Sequence, residues 1–246
     1  MHSFLKNSVF SISFGTSLSK LAGCIRQIFI AAAFGVGITY DAFNYAYIIP
    51  GFLLIIIGGI NGPLHNAIVA VLTPLNKKKG GIVLTQVSIK LSILLFVLAL
   101  LIYINSSLLI ELLAPNLSIQ AKSIATYQLR ILTPCIPLSG FIGLSFGALN
   151  SRRKFFLSSI SPAITSVTTI IFISFSWIFN QENTSSNFLT YTGLLAFATL
   201  TGTLIQFIVQ IWEIYKIGLL RLESTYQFKN EERRIFKLII PASISS

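Results

Sequence analysis

The chain alternates between long, uninterrupted apolar segments and short polar connections. A helix that crosses a bilayer takes about 20 apolar residues, and six segments reach that length. A further apolar segment, Ile235–Ser246, is too short to cross, so we expect it to lie in the interface or to be the start of a truncated seventh helix. The six complete segments run approximately over Val9–Phe34, Phe43–Leu72, Ile82–Ile104, Ser123–Leu149, Phe155–Phe179 and Phe188–Tyr215.

The apolar segments predict helices rather than the strands of a membrane barrel. Barrel strands alternate apolar and polar residues over about ten positions, whereas these segments are continuously apolar. The predicted fold class is therefore all-α, a polytopic transmembrane bundle of six complete helices plus the start of a seventh. We expect a six-helix membrane lobe over 1–215, a cytoplasmic basic linker over 216–234 and the truncated helix over 235–246.

Composition excludes an ordinary soluble domain. Hydrophobic residues make up 54% of the chain and charged residues 10%, whereas a soluble domain has about 25% charged residues. Cys24 and Cys135 fall inside different apolar segments, which does not support a disulfide framework or a metal site. The first segment is too long for a cleaved signal peptide and carries Lys20 and Arg26, so it reads as a retained helix.

Most of the basic residues behind the net charge of +11 lie in the connections on one side of the membrane. Connections on the opposite side hold Asp41, Glu111 and Glu182 and a single base, Lys122. Because basic loops stay in the cytoplasm, the pattern predicts a cytoplasmic amino terminus. Nucleic acid is therefore not an expected partner, while anionic membrane lipids are. The basic residues of the cytoplasmic side are Lys6, 77–79, 152–154, Lys216, Arg221, Lys229, Arg233, Arg234 and Lys237.

Four cations lie inside the apolar segments, where each charge costs about 2.5–3.5 kcal/mol. Lys20 and Arg26 lie in the first helix, on a wide face that also carries small and hydroxyl residues. No carboxylate shares that face, so we predict a water-filled cationic cavity that binds an anion. Snorkelling to the interface is the alternative, and it is the favoured explanation for Lys90 and for Arg130. The opposite, lipid-seeking face carries Phe14, Leu18, Leu21, Ile25, Ile28 and Phe29.

The second predicted helix is interrupted by proline and glycine at Pro50, Gly51, 58–59, Gly62 and Pro63. Such interruptions often mark moving or substrate-lining elements of transporters. If the helix is regular, His65 shares a face with Gly58 and Asn61. His65 is then either a hydrogen-bonded interior histidine or a proton-sensing or ligand-contacting residue. The fourth helix is expected to bend, because Pro134 and Pro137 follow Arg130.

The sequence carries no catalytic constellation. It lacks a zinc-protease motif, a phosphate-binding P-loop and a nucleophile elbow, and it has only two histidines. We therefore predict a protein that is not an enzyme and that needs no cofactor.

Two stretches resemble the opening of the MurJ/MviN family of lipid II flippases, within the multidrug/oligosaccharidyl-lipid/polysaccharide exporter superfamily. SKLAGCIR at Ser19–Arg26 and FGVGITYDAF at Phe34–Phe43 are similar to the family's S-R-x-x-G-x-x-R and F-G-x-G-x-x-x-D-A-F. Leu149, Asn150, residues 152–156 and Pro162 resemble its connection between helices four and five.

The resemblance implies fourteen helices, in two lobes of six plus a final pair, of which this chain is the amino-terminal lobe. It implies outward transport of an undecaprenyl-pyrophosphate-linked peptidoglycan precursor across the bacterial inner membrane by alternating access. Lys20 and Arg26 carry over as cavity cations that hold the pyrophosphate, Asp41 as the acidic residue ending helix one, and Ser19 as a lining neighbour.

The chain departs from the family pattern at two positions. Lys20 replaces an arginine, which keeps the charge and loses bidentate phosphate geometry. The second-helix arginine of many relatives corresponds to Leu54 or a neighbour, and we expect His65 or Lys90 to compensate in part. His65 and Arg130 are candidate substrate-binding residues. Alternatives are another lipid-glycan exporter of the superfamily, or an inactive truncated remnant. Because one lobe cannot rock against itself, transport requires a second lobe or a homodimer.

Overall fold

The computed structural model describes residues 2–35, 37–57, 62–179 and 188–220, together with 231, 233–235 and 237–238. Every regular element in these ranges is a helix. The helices are α1 (His2–Phe34), α2 (Ile38–Ile56), α3 (Pro63–Leu72), α4 (Lys77–Ile104), α5 (Ser106–Leu113), α6 (Ile119–Leu132), α7 (Cys135–Ser151), α8 (Phe155–Ile160), α9 (Pro162–Phe179) and α10 (Phe188–Lys216).

The helices long and apolar enough to span a membrane correspond to most of the predicted segments. Within the described ranges, α1, α4, α8 with α9, and α10 each satisfy the length and hydropathy of a span, and α6 with α7 forms a fifth span bent by 43°. The predicted count of six is therefore corrected, because the second segment is divided into α2 and α3. Residues 58–61 between them lie outside the described residues, and with them the predicted shared face of Gly58, Asn61 and His65.

The connection from α1 to α2 places Asp41 differently from the prediction. Gly35 has a φ of +54°, a left-handed conformation that ends a helix cheaply only at glycine. The chain then restarts as α2, and Asp41 lies in the first turn of that helix. Asp41 does not end the first helix. Its negative charge lies near the positive end of the α2 dipole.

The bend between α6 and α7 confirms the predicted effect of proline in the fourth segment. Pro134 separates the two helices, and its ring nitrogen cannot donate the helical hydrogen bond. Beyond the bend, α7 lies at the centre of the lobe, where nearly all of its side chains are buried. It packs against α3, α4 and α10.

Close contact between α3 and α7 requires a glycine. A Cβ atom at Gly147 would lie 2.6 Å from Ile68 Cβ and 2.9 Å from the His65 carbonyl oxygen. Only a residue without a side chain allows this approach.

The interface between α9 and α10 is polar in its interior. Thr165 donates to Gln206 Oε1 at 3.1 Å, and Gln210 Nε2 donates to Ser161 Oγ at 2.8 Å. Hydrogen bonds of this kind hold membrane helices together where lipid gives no hydrophobic drive. The packing of α9 against α10 also places Thr169 of α9 and Thr199 of α10 on neighbouring helices. Most of the predicted seventh helix and most of the predicted linker lie outside the described residues.

Candidate functional site

Helix α1 lies at the edge of the lobe and divides into three stripes. Only 6% of the residues in its most apolar stretch are buried, against 44% in α10. The packing stripe, spaced by three and four residues, faces α8 and α9. It consists of Ser11, Gly15, Ser19, Ala22, Arg26 and Ile30, all partly or fully buried.

The other two stripes of α1 are exposed and differ in chemistry. The polar stripe consists of Ser13, Ser17, Lys20, Cys24 and Gln27, and the apolar stripe of Phe14, Leu18, Leu21, Ile25 and Ile28. Lys20 makes no hydrogen bond or ion pair with any residue in the described ranges. The Lys20 ammonium therefore lies on the exposed surface of the lobe, on a different face of α1 from the apolar stripe.

Arg26 lines a partly open cavity of about 100 Å³ between four helices. This Arg26 cavity is built by Arg26, Gln27 and Ile30 of α1, by Tyr40, Phe43, Asn44 and Tyr47 of α2, by Thr169 of α9, and by Leu195 and Thr199 of α10. The volume is sufficient for water, which needs a polar lining and at least about 10–15 Å³. The lining offers hydroxyl and amide groups beside one cation.

The guanidinium of Arg26 has hydrogen-bonding capacity that the lobe does not use. Its Nε atom is buried and has no hydrogen-bond partner among the described residues. A buried donor left unpaired costs about 1–3 kcal/mol, and more when it is charged. The geometry therefore favours an anion or water as the partner of Arg26.

The α2 wall of the cavity is held by aromatic packing. The rings of Phe43 and Tyr47 stack with their centroids 5.6 Å apart. The Tyr47 ring also lies over Gly51, where a Cβ atom would be 2.7 Å from Cε1. These contacts fix the Tyr47 ring beside Arg26.

The structure brings together only part of the predicted set. Six residues separate Lys20 from Arg26, which places them about 9 Å apart along the axis and about 120° apart around it. Lys20 therefore lies on the polar stripe, beside the cavity rather than within it. Ser19 shares the packing stripe with Arg26 without lining the cavity, and Asp41 is exposed outside it.

His65 lies away from the Arg26 cavity, in a buried hydrogen-bond cluster. It is 5% exposed, its Nε2 lies 2.8 Å from Asn150 Nδ2, and its Nδ1 lies 3.2 Å from Asn66 Oδ1. Ser158 donates to Asn150 Oδ1 at 2.6 Å. This geometry is that of the hydrogen-bonded interior histidine, and it joins α3, α7 and α8.

Arg130 also lies apart from Arg26, in a groove between α5 and α6. Its Nε donates to Ser106 Oγ at 2.8 Å, and its guanidinium carbon lies 5.7 Å from the centroid of the Tyr103 ring. The groove has a volume of about 520 Å³. The structure thus gives Arg130 specific partners within a second polar site.

Sequence reasoning missed the residues that α2, α9 and α10 contribute to the Arg26 cavity. The recurrence of Tyr40, Asn44 and Tyr47 on one face of an otherwise apolar helix was a readable signal for α2. No comparable signal marks Thr169 and Thr199, because hydroxyl residues recur throughout both helices.

The fold and these sites define a polytopic helical membrane protein with an arginine-lined interior cavity. The sequence model of the family described as "Lipid II flippase MurJ" matches residues 30–246. The chain belongs to this family.

Individual relatives agree with the family assignment. The chain is 36% identical over 98% of its length to the probable lipid II flippase MurJ of Synechocystis sp., of which it covers 46%. It is 30% identical over 98% of its length to the probable lipid II flippase MurJ of Buchnera aphidicola from Acyrthosiphon pisum, of which it covers 47%. The chain therefore spans about half the length of these relatives.

A solved structure shares the fold. The structure described as "Lipid II flippase MurJ, inward closed conformation" superposes with a TM-score of 0.75 and 24% sequence identity, over 95% of this chain and 47% of that one. The helical membrane fold predicted from the sequence is thereby confirmed.

Proposed function

We propose that the chain forms the amino-terminal lobe of a lipid II flippase of the bacterial inner membrane, a transporter rather than an enzyme. The observation that carries this proposal is the buried, unpaired Nε of Arg26 in a polar cavity of the first span. Family membership supplies the substrate class, a peptidoglycan precursor linked to undecaprenyl pyrophosphate. In this proposal the side chains that line the cavity bind the substrate, and no cofactor is needed.

Lys20 and Arg26 would both bind the pyrophosphate, each in a different way. The Lys20 ammonium lies on the exposed polar stripe and offers a mobile point charge to an entering anion. The Arg26 guanidinium, fixed by its packing stripe, would donate hydrogen bonds from its unused N–H groups to a phosphate oxygen. The prenyl chain remains in lipid beside the apolar stripe of α1. One helix thus separates the anionic and apolar parts of the substrate.

Transport requires a second lobe or a second copy of this one. The polar stripe of α1 is exposed at the edge of the lobe, and a span with such a stripe is stable only against protein or water-filled space. The chain covers about half of its relatives' length. A facing lobe would close the polar stripe into a central cavity, and rocking of the two lobes would expose that cavity to each side in turn.

Complementation of a flippase-depleted bacterial strain tests this proposal. Arg26→Gln and Lys20→Gln, introduced into the full-length protein that contains this lobe, should each abolish growth while membrane insertion is retained. Arg26→Lys and Lys20→Arg keep the charge and should restore part of the growth. Lys77→Gln removes one exposed cation of the basic side and serves as the matched control. Full growth of both neutral variants would overturn the proposed site, and growth supported only with another lipid-linked glycan would reassign the substrate.

A further inference from the structure

The groove between α5 and α6 brings together two cations and a carboxylate that do not pair with one another. Lys122 and Arg130 come from α6, and Glu111 comes from α5. The side chains of Lys122 and Glu111 form no ion pair or hydrogen bond within the described part of the chain. Ser107, Ser123 and Tyr127 add hydroxyl groups to the same groove. The groove therefore holds charged groups of both signs that have no ion-pair partner among the described residues.

Arg130 is oriented within the groove. The bond from its Nε to buried Ser106 and the position of its guanidinium over the Tyr103 ring fix the planar group. Its terminal amino groups have no partner among the described residues. A guanidinium fixed through Nε with both terminal amino groups available is suited to a phosphate, which accepts two parallel hydrogen bonds.

The surroundings of the groove are apolar. Ile104, Leu108 and Leu112 are exposed beside it, and Ile119 on its rim is 90% exposed. Large exposed apolar side chains at the ends of membrane spans face acyl chains rather than water. On the orientation predicted from the loop charges, this end of the lobe lies in the outer leaflet. The groove is thus a polar recess at headgroup depth with acyl chains beside it.

We propose that this groove binds a glycerophospholipid of the outer leaflet through its headgroup. Arg130 and Lys122 hold the phosphodiester. Glu111 accepts a hydrogen bond from a hydroxyl or ammonium group on the headgroup, which favours phosphatidylglycerol and phosphatidylethanolamine over phosphatidylcholine, whose methylated ammonium has no donor. The acyl chains lie against the exposed leucine and isoleucine side chains of α4 and α5. This site is separate from the Arg26 cavity and does not depend on the proposed transport function.

Native mass spectrometry of the delipidated full-length protein tests the proposal with these three lipids added separately. Lys122→Gln combined with Arg130→Gln should lower the occupancy of phosphatidylglycerol by about tenfold, as expected for loss of charge-assisted bonds. Glu111→Leu, which removes the acceptor, should remove the preference for phosphatidylglycerol and phosphatidylethanolamine over phosphatidylcholine while binding persists. Lys77→Gln combined with Lys79→Gln is the control that removes the same two charges at the other end of α4. Unchanged thermal unfolding of each variant establishes that it is folded.

Two results would overturn the proposal. One is equal occupancy of the three lipids in the wild type and in all variants. The other is displacement of bound lipid by millimolar inorganic phosphate or by undecaprenyl pyrophosphate, which would assign the groove to a free anion or to the transported substrate. Because Arg26→Gln leaves this groove intact, retained phospholipid binding in that variant separates this inference from the proposed function.

Discussion

The Asn150 amide lies 2.8 Å from His65 Nε2 and joins the carboxyl-terminal end of α7 to the first turn of α3. Its oxygen accepts the Ser158 hydroxyl at 2.6 Å, so the same side chain also holds α8. Three helices around the break in the second segment therefore meet at one amide group. A buried polar network of this kind is stabilising only when all its members are paired.

Asn150→Ala should destabilise the protein by about 1–3 kcal/mol, because it leaves the His65 and Ser158 groups without this partner. Thermal unfolding in detergent measures the change. Asn105→Ala removes an exposed amide whose hydrogen-bond partner in the described part of the chain is the Leu101 carbonyl, and it should cost about 1 kcal/mol or less. If Asn150→Ala and Asn105→Ala lowered the stability equally, the proposed role of Asn150 in joining the three helices would be contradicted. A double-mutant cycle with His65→Ala should show that the two effects are not additive.

Gly147→Ala should separate α3 from α7. The added methyl group would lie 2.6 Å from Ile68 Cβ, and overpacking of this kind costs about 1–3 kcal/mol. Gly23→Ala offers a matched control, since no atom lies within 4 Å of the Cβ position there. Because alanine favours helix by about 1 kcal/mol over glycine, the Gly23 change should be neutral or stabilising in the same unfolding measurement. A stable Gly147→Ala protein would argue against the close packing of α3 and α7.

The ion pair between Lys154 and Glu213 should contribute little. The two side chains lie 3.1 Å apart, and they are 50% and 20% exposed. Exposed pairs of this type are worth about 0–1 kcal/mol and are screened by salt. Glu213→Gln should therefore lower the free energy of unfolding by less than about 1 kcal/mol. The difference from wild type should shrink further in high salt, and a large, salt-independent loss would show that Glu213 has another role.

Hydropathy located the spans well because apolar length is a local property. It placed the end of α1 at Phe34, where Gly35 stops the helix. It placed the start of the third segment at Ile82, whereas α4 begins at Lys77. That difference arises because Asn76 caps the helix by accepting the Lys79 backbone N–H, and a cap leaves no trace in hydropathy.

The sites were only partly predictable, because their partners come from distant parts of the chain. The helical wheel separated the face of Lys20 from that of Leu21. It could not show that Arg26 shares a cavity with Tyr47 of α2, Thr169 of α9 and Thr199 of α10. Likewise, snorkelling was the favoured explanation for Arg130, since the helix α5 that builds its groove was not predicted.

The reactivity of Cys24 tests most directly whether the polar stripe of α1 faces a water-filled, anion-binding cavity. Cys24 shares that stripe with Lys20 and is exposed, while Cys135, the other cysteine of the chain, is 2% exposed. In the full-length protein in membranes, a charged methanethiosulfonate should modify Cys24, with the anionic reagent faster than the cationic one, and undecaprenyl pyrophosphate should protect it. Ile25→Cys in a Cys24→Ala background places the thiol on the apolar stripe and should remain unmodified. An unreactive Cys24, or equal modification at both positions, would contradict the account.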